Sequence, residues 1–266
     1  MLKIIADEAI PWLDKLFAKH GNIHRYSGRE LDPSQLEDAD LLLIRSTVRI
    51  DKNLLKNSAV KLVASATVGC DHVDQNALSE LGIAFAHAPG CNANAAAEYI
   101  VAALLYMAER HSMVLEDMTL GVVGAGQVGH RVAEKAEALG ITVLLNDPPL
   151  REETGLLDYE PLETVLAQSD IISLHVPLVN TRPWPTVGLC NHRFFEMMKP
   201  GALFINAARG EVVDPAALQC VLEAGSLSGC VLDVWPGEPF FDVELLRMVD
   251  IGTPHIAGHS LEGKAN

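Results

Sequence analysis

The hydrophobic positions of the first ninety residues fall into short apolar runs separated by amphipathic stretches. Such runs are typical of strands buried on both faces of a parallel sheet, and the stretches between them have helical spacing. We therefore expect a small α/β domain with about four parallel strands. The expected strands are Leu2–Ala6, Leu41–Ile44, Leu62–Ala66 and Ile83–Ala86, and the expected helices are Pro11–Lys19, Pro33–Glu37 and Val73–Leu81.

A long helix is predicted at Ala93–Arg110, because this stretch is rich in Ala, Leu and Glu and contains neither Gly nor Pro. Asn92 or Asn94 is a suitable N-cap for it. We expect this helix to leave the first domain and to pack beside a second one.

A second alternation of strands and helices begins at Thr119. Six strands with intervening helices are typical of a doubly wound dinucleotide-binding sheet. The expected strands are Thr119–Val123, Thr142–Asn146, Ile171–His175, Ala202–Asn206, Gly229–Val234 and Asp250–Gly252. The expected helices are Val128–Leu139, Leu162–Ala167, Arg193–Met198, Pro215–Ala224 and Glu244–Met248.

Composition narrows the class of protein. A length of 266 residues suggests about two domains, and a net charge of −15 argues against nucleic acid and anionic membranes as partners. The longest apolar stretch, Tyr99–Ala108, is too short to span a bilayer, and Met1 runs directly into an acidic segment rather than a signal peptide. The five cysteines have no metal-ligand spacing. We therefore expect a cytoplasmic protein without a metal site.

A glycine-rich segment predicts the cofactor site. Gly124, Gly126 and Gly129 form Gly-x-Gly-x-x-Gly between a predicted strand and a predicted helix. In such a loop the first glycine permits the tight turn, the second lets the backbone approach a pyrophosphate, and the third allows close packing. The helix begins at Gln127 and Val128, where free amides would face the phosphates. Asp147, eighteen residues after Gly129, would bind the ribose and repel a 2′-phosphate, which favours NAD over NADP.

Three residues suited to hydride-transfer chemistry follow successive strands of the second domain. Arg209 is a permanent cation for a substrate carboxylate, His255 is a general base, and Glu238 is a carboxylate that would hold the imidazole. Strand ends of this kind meet at one edge of a doubly wound sheet. Taken singly, each side chain is more often structural or solvated, but their joint placement beside a cofactor loop favours catalysis.

Together these segments resemble the D-2-hydroxyacid dehydrogenase family. The resemblance rests on the glycine loop and on 206–214, 232–239 and 254–258 (Asn-Ala-Ala-Arg-Gly-Glu-Val-Val-Asp, Leu-Asp-Val-Trp-Pro-Gly-Glu-Pro and Pro-His-Ile-Ala-Gly). It implies that Arg209, Glu238 and His255 are catalytic, that Asp233 lies beside the nicotinamide end of NAD, and that Gly258 contacts the cofactor. It also implies a flavodoxin-like substrate domain at 1–92, a Rossmann NAD domain with its linking helix at 93–258, and a return to the substrate domain at 259–266.

A closer likeness to one branch of the family is carried by 43–47, 66–74, 88–93, 146–149 and 255–264. This likeness implies oxidation of 4-phospho-D-erythronate to 2-oxo-3-hydroxy-4-phosphobutanoate in vitamin B6 biosynthesis. By position Ser46, Thr67 and His259 match substrate-contacting residues, although some members have Tyr where this chain has His259. Arg45 beside them would bind a phosphate, unless it merely pairs with a nearby carboxylate.

Two alternatives remain open at this point. Another D-2-hydroxyacid dehydrogenase, such as a phosphoglycerate dehydrogenase, would use the same three catalytic residues. An NAD(H)-sensing binding module with this fold would keep them without meaningful turnover. The resemblance further implies a C-terminal dimerisation domain beyond the position of Asn266, and hence a homodimer for full-length members of the family.

Overall fold

The computed structural model describes residues 1–27, 29, 31–156 and 158–265. The chain divides into two compact units, of which unit 1 comprises Met1–Cys91 and Leu261–Asn266, and unit 2 comprises Asn92–Ser260. Asn266, the last residue of the predicted return segment, lies outside the described residues.

Unit 1 is built on a five-stranded parallel sheet in the order β2-β1-β3-β4-β5, which is the flavodoxin-like order. Its strands are β1 (Leu2–Asp7), β2 (Gly21–Tyr26), β3 (Leu41–Ile44), β4 (Leu62–Ser65) and β5 (Ala84–Ala86). Its helices are α1 (Leu13–Phe17), α2 (Lys52–Leu55) and α3 (Gln75–Glu80), with a 3₁₀ turn at Pro33–Leu36.

The expectation of four strands in unit 1 is wrong, because β2 forms a fifth strand at the sheet edge. Only its first and last residues, Gly21 and Tyr26, are buried, and the polar side chains between them are at least partly exposed. An edge strand needs no continuous apolar run, so the hydrophobic pattern did not reveal it. The inner strands β1, β3 and β4 do have buried apolar residues, such as Ile5, Leu42 and Val63.

Unit 2 is a six-stranded parallel sheet in the order β11-β10-β9-β8-β6-β7. A single parallel bridge from Leu145 to Tyr159 continues it beyond β7, which gives the strand arrangement of a Rossmann fold. The strands are β6 (Thr119–Val123), β7 (Thr142–Asn146), β8 (Ile171–Leu174), β9 (Ala202–Asn206), β10 (Leu227–Leu232) and β11 (Ile251–Gly252).

Helices cover both faces of the unit 2 sheet. They are α4 (Ala93–His111), α5 (Gln127–Ala138), α6 (Pro148–Thr154), α7 (Leu162–Gln168), α8 (His192–Met197), α9 (Pro215–Glu223) and α10 (Val243–Met248), with 3₁₀ turns at Leu115–Asp117 and Gly210–Val212; α11 (Leu261–Ala265) belongs to unit 1. The predicted long helix is present as α4, and it packs on α5, burying Ile100, Leu104 and Met107 in one apolar cluster. A second cluster contains Phe194, Phe204 and Trp235.

The prediction of an α/β chain with two parallel sheets is thus confirmed. No helix in the described part of the chain is long and apolar enough to cross a membrane. Among the same residues, no three His, Cys, Asp or Glu side chains are grouped so that they could hold a metal ion.

Candidate active site and cofactor cavity

The glycine-rich loop between β6 and α5 has backbone geometry that requires glycine. Gly124 has φ of +93°, and a Cβ on Gly129 would lie 2.0 Å from the carbonyl oxygen of Gly124. A Cβ on Gly126, in contrast, would meet no atom within 4 Å. The loop is therefore tight at its first and third glycines and open at its second, which is the space that a pyrophosphate requires.

Helix α5 begins without a side-chain cap. Its N-cap is Gly126, which has no side chain to bond the first amides, and Gln127 and Val128 form the first turn. The side chain of Gln127 is turned to Arg131, whose Nη1 donates to the Gln127 carbonyl (2.7 Å) and to its Oε1 (3.1 Å). The uncapped amides and the positive end of the helix dipole favour an anion at this position.

Asp147 is held rigidly at the end of β7. Its Oδ2 accepts from the amide of Ala125 in the glycine loop (2.9 Å), and its Oδ1 accepts from Leu150 (3.0 Å) as the N-cap of α6. Each oxygen has lone pairs left for a ribose hydroxyl. The two prolines that follow Asp147 belong to α6, a helix that we did not predict, although Asp followed by Pro is a recognised helix start.

A cavity of about 730 Å³ adjoins the loop. Gly124, Gly126 and Asp147 line it, together with Arg151 and His175. The pKa of His175 is lowered by burial from 6.5 to about 4, so the ring is neutral near pH 7. A cavity of this size, with an uncapped helix and a fixed carboxylate, fits the nucleotide part of NAD.

Arg209 lies in the loop that follows β9, immediately before a 3₁₀ turn. The Asn206 side chain bridges the loop before this turn, since its Nδ2 donates to the Arg209 carbonyl (2.9 Å) and its Oδ1 accepts from the amide of Ala208 (3.0 Å). A Cβ on Gly210 would lie 2.1 Å from the carbonyl carbon of Trp235. Glycine is therefore needed here to bring the loop of Arg209 against the loop that leads to Glu238.

Glu238 and His255 form a direct pair, with Nδ1 of His255 2.8 Å from Oε2 of Glu238. The other carboxylate oxygen, Oε1, accepts from the amide of Trp235 at 2.8 Å, which fixes the glutamate. The His255 side chain is 47% exposed, so its remaining nitrogen is accessible to a ligand. The pair has the geometry of a base held in one orientation by a carboxylate.

Electrostatics stabilise the charged forms of both partners. The Glu238 hydrogen bond raises the pKa of His255 above 6.5, against burial and the positive charge of Arg209. Burial, the largest single influence on Glu238, raises its pKa, but the bonds from His255 and Trp235 and the nearby charges outweigh burial and leave the pKa lowered. Arg209 thus acts electrostatically on both residues, and the structure brings the three predicted residues together.

Comparison with known proteins agrees with this geometry. The family model "D-isomer specific 2-hydroxyacid dehydrogenase, NAD binding domain" matches residues 93–257. The chain belongs to the D-isomer specific 2-hydroxyacid dehydrogenase family. It is therefore an NAD-dependent 2-hydroxyacid dehydrogenase, and the expectation of NAD as cofactor is confirmed.

Individual relatives extend the likeness over nearly the whole chain. Erythronate-4-phosphate dehydrogenase of Escherichia coli O17:K52:H18 is 46% identical over 264 residues, which are 99% of this chain and 70% of the relative. The crystal structure of TT0316 protein from Thermus thermophilus matches with a TM-score of 0.85 and 29% identity, over 99% of this chain and 92% of that one. D-lactate dehydrogenase from Aquifex aeolicus, complexed with NAD and lactic acid, matches with a TM-score of 0.82 and 27% identity over 98% and 90%.

Asp233 follows β10 and organises the loop that carries His255. Its fully buried carboxylate accepts from Thr253 Oγ1 (2.6 Å), from the amide of Ile256 (2.8 Å) and from that of Ala257 (2.8 Å). Its carbonyl also accepts from the amide of His255 at 2.7 Å. These bonds hold His255 at a left-handed φ of 56°, which a non-glycine residue adopts only at a cost. The expectation that Asp233 adjoins the nicotinamide stays a prediction.

Tyr99 of α4 is part of the same network, and sequence reasoning did not single it out. Its hydroxyl lies 2.6 Å from Thr253 Oγ1. Since Thr253 gives its only hydroxyl proton to Asp233, Tyr99 must be the donor to Thr253. The two residues are 154 positions apart, so no local pattern could have paired them.

The residues expected to contact substrate lie in both units. In unit 1, Arg45 follows β3 and its Nε is 3.2 Å from Oδ1 of Asp7, while Ser46 is exposed beside it. Thr67 follows β4, and its hydroxyl lies 2.7 Å from Ser65 Oγ and donates to the Gly69 carbonyl at 3.2 Å.

In unit 2, His259 is exposed, with its amide bonded to the Ile256 carbonyl at 2.8 Å. A Cβ on the predicted cofactor residue Gly258 would lie 2.1 Å from the Asn92 side-chain nitrogen, so any larger residue there would have to displace the Asn92 side chain.

Proposed function

We propose that this dehydrogenase oxidises 4-phospho-D-erythronate to 2-oxo-3-hydroxy-4-phosphobutanoate, as a step of pyridoxal phosphate (vitamin B6) biosynthesis. The observation that carries the chemistry is the Glu238–His255 pair at 2.8 Å, under the influence of Arg209. The choice of substrate is supported by the likeness to erythronate-4-phosphate dehydrogenases, at 46% identity over 99% of the chain for the one from E. coli.

In the proposed mechanism His255 is the general base. Its Nδ1 bonds Glu238, so the proton that leaves the substrate hydroxyl is accepted at Nε2. Arg209 binds the substrate carboxylate with its planar guanidinium, which orients the hydroxyl-bearing carbon. NAD, which the glycine loop and Asp147 would hold, would supply the acceptor for the hydride of this carbon. Glu238 stabilises the imidazolium that His255 becomes.

We assign substrate contacts to Arg45, Ser46, Thr67 and His259. The assignment of Ser46, Thr67 and His259 rests on their match to the family pattern. That of Arg45 rests on its charge and partial exposure.

We also propose a cytoplasmic location and a homodimeric assembly. The odd number and scatter of the five cysteines, together with the family resemblance, support a reducing, cytoplasmic location, and the resemblance supports a homodimer of the full-length protein. Light scattering on the full-length protein would test the dimer, and a monomer at micromolar concentration would contradict it.

The deciding experiment measures NADH formation from 4-phosphoerythronate beside 3-phosphoglycerate, glycerate and lactate, with direct NAD binding as a control. We expect selective turnover of 4-phosphoerythronate. Faster turnover of 3-phosphoglycerate would support the proposed mechanism but would contradict 4-phosphoerythronate as the substrate. NAD binding without turnover of any acid would favour an NAD(H)-sensing module.

A matched pair of variants ties turnover to the proposed base. His255→Ala should lower kcat by about 10²- to 10⁴-fold with NAD affinity unchanged. His192→Ala, an exposed histidine in the first turn of α8, should leave both unchanged.

A further inference from the structure

The carboxyl ends of β1, β2 and β3 bring a polar cluster together in unit 1. Asp7 is the last residue of β1 and pairs with Tyr26, the last of β2, while Arg45 follows β3 directly. Because β1 lies between β2 and β3, these side chains emerge at one edge of the sheet. In open parallel sheets this edge is where ligands bind.

Asp7 is a buried carboxylate that needs a cation. It is 1% exposed, accepts from the amide of Ala9 (2.9 Å) and from Thr47 Oγ1 (3.2 Å), and lies 3.2 Å from Arg45 Nε. Removing one member of such a pair leaves an uncompensated buried charge, which is strongly unfavourable. Arg45 is therefore held in place by Asp7.

The guanidinium of Arg45 keeps its donors available. Its side chain is 38% exposed, and the N–H at Nε is not aligned for a directed hydrogen bond to Asp7. None of its five N–H groups donates to another residue within the described ranges. An anchored cation with unused planar donors is suited to an oxyanion, and a phosphate in particular.

The buried phenol beside this pair adds no negative charge. Burial, and secondarily the charge of Asp7, raises the pKa of Tyr26 well above its usual value, so the group stays neutral in the physiological range. The positive charge of Arg45 opposes this rise in the pKa of Tyr26.

We propose that Asp7 is a positioning residue for Arg45, and that the pair forms the subsite for the phosphate of the substrate. This inference rests on the proposed function, since it assigns the phosphate of that substrate to a particular side chain. Asp7 itself accepts no contact from the ligand. It fixes the guanidinium so that the remaining N–H groups meet the phosphate oxygens.

The test is a double-mutant cycle with two readouts, KM for 4-phosphoerythronate and the affinity for inorganic phosphate. Arg45→Gln should raise KM by about 10- to 100-fold, the loss of one or two charge-assisted hydrogen bonds, with little change in kcat. Asp7→Asn should raise KM by several-fold, because Arg45 loses its anchor. The double variant should be no worse than Arg45→Gln alone, since Asp7 acts only through Arg45.

Controls separate positioning from folding. Asp14→Asn removes an exposed Asp–Arg pair of the same unit, with Arg25, and should change neither readout. NAD affinity, which depends on unit 2, should stay constant in every variant. If Asp7→Asn unfolds, the comparison of Arg45→Gln with the double variant, which removes both charges of the pair at once, still carries the test. A double variant with a higher KM than Arg45→Gln would contradict a role of Asp7 through Arg45 alone.

The outcomes distinguish this inference from the proposed function. If 4-phosphoerythronate is turned over but KM and phosphate affinity are unchanged in Arg45→Gln, Arg45 only neutralises Asp7 and the subsite is overturned. Additive losses in the double variant would overturn the positioning role of Asp7. If 4-phosphoerythronate is not turned over while Arg45→Gln and Asp7→Asn abolish phosphate binding, the subsite stands and the proposed substrate fails.

Discussion

Two buried aspartates, one in each unit, lie directly at the carboxyl end of a parallel strand but hold different groups in place. Asp233 is fully buried and accepts two backbone amides and one hydroxyl, all from the 253–257 loop. Asp7 is 1% exposed and accepts one amide and one hydroxyl, and its remaining interaction is with the cation of Arg45.

The difference lies in what each carboxylate immobilises. Asp233 binds backbone donors, so it fixes the path of a loop and thereby the unusual φ of 56° at His255. Asp7 binds a side-chain cation, so it fixes the direction of a charge whose other donors remain open. Burial strengthens both interactions, because an unpaired group at either site would be costly. A buried aspartate at a strand end can thus immobilise either a loop or a charged side chain, depending on which donors it binds.

The largest effect is expected where the loop loses its support. Asp233→Ala leaves the Thr253 hydroxyl and the amides of Ile256 and Ala257 without their acceptor, and a donor that loses its partner in a buried site costs about 1–3 kcal/mol. We expect a loss of about 3–5 kcal/mol in the free energy of unfolding of unit 2, and a fall in kcat of at least about 100-fold, since His255 is no longer oriented. Denaturant unfolding and steady-state kinetics measure the two.

Asp242→Ala is the matched control. Asp242 also accepts two amides, those of Glu244 (2.8 Å) and Leu245 (3.4 Å), but it is exposed and only caps α10. Asp242→Ala should lower the free energy of unfolding by about 1 kcal/mol and leave kcat unchanged. Wild-type kcat in Asp233→Ala would show that the loop does not depend on its aspartate.

Glu238→Gln tests the electrostatic effect of Glu238 on His255 separately from the bonds by which Asp233 holds the loop. In the parent protein the Glu238 bond raises the pKa of His255, so the neutral base needed for oxidation accumulates only above that raised pKa. Oxidation should increase as pH rises through it, and reduction of the oxo acid, which needs imidazolium, should decrease. The amide side chain of the Glu238→Gln variant should lower the pKa of His255, which shifts the pH profiles of both oxidation and reduction to lower pH. The same change should lower kcat by about 10- to 10³-fold.

The pH profiles of kcat/KM in both directions would measure this shift. Glu196→Gln, which alters an exposed glutamate of α8, is the control and should leave both limbs in place. A pH profile that is unchanged in Glu238→Gln would mean that a group other than His255 controls the pH dependence.

The sequence indicated the candidate catalytic side chains but not the residues that hold them in place. Arg209 and Glu238 were predictable because each follows a strongly apolar strand, which is easy to locate. His255 follows only the two-residue strand β11, and the segment that resembles the family, Pro-His-Ile-Ala-Gly, indicated it instead. Asp7 was noticed only as part of an acidic N-terminal segment, since the predicted strand ended one residue earlier at Ala6. No pattern indicated that its carboxylate would be buried, because burial follows from where β2 and β3 pack.

The same limit applies to edges and to long-range pairs. β2 and α6 were missed because their polar residues and prolines lack the apolar periodicity that identifies buried elements. The bond between Tyr99 and Thr253 joins α4 to the loop that carries His255, across 154 positions. Only the folded arrangement brings such residues together.

A smaller effect is expected from removing one donor to Asp233. Thr253→Val eliminates the 2.6 Å hydroxyl bond and leaves the two amides, which should cost about 1–2 kcal/mol in the free energy of unfolding. Tyr99→Phe should cost about 0.5–1.5 kcal/mol, since only the outer bond of the chain is lost. The double variant should cost less than the sum, because both bonds meet at Thr253. Strict additivity would mean that Tyr99 acts independently of Asp233.

The smallest effect is expected at the other aspartate. Thr47→Val removes the 3.2 Å hydroxyl contact with Asp7, which is longer than its counterpart at Asp233 and shares the carboxylate with a full cation. We expect a cost of about 0.5–1 kcal/mol in the unfolding of unit 1 and an unchanged kcat. Ser58→Ala, which removes a local bond to the Leu55 carbonyl, is the control for losing a hydroxyl in this unit. A loss as large as that of Thr253→Val would mean that the hydroxyl, rather than Arg45, is the main partner of Asp7, and the contrast between the two aspartates would disappear.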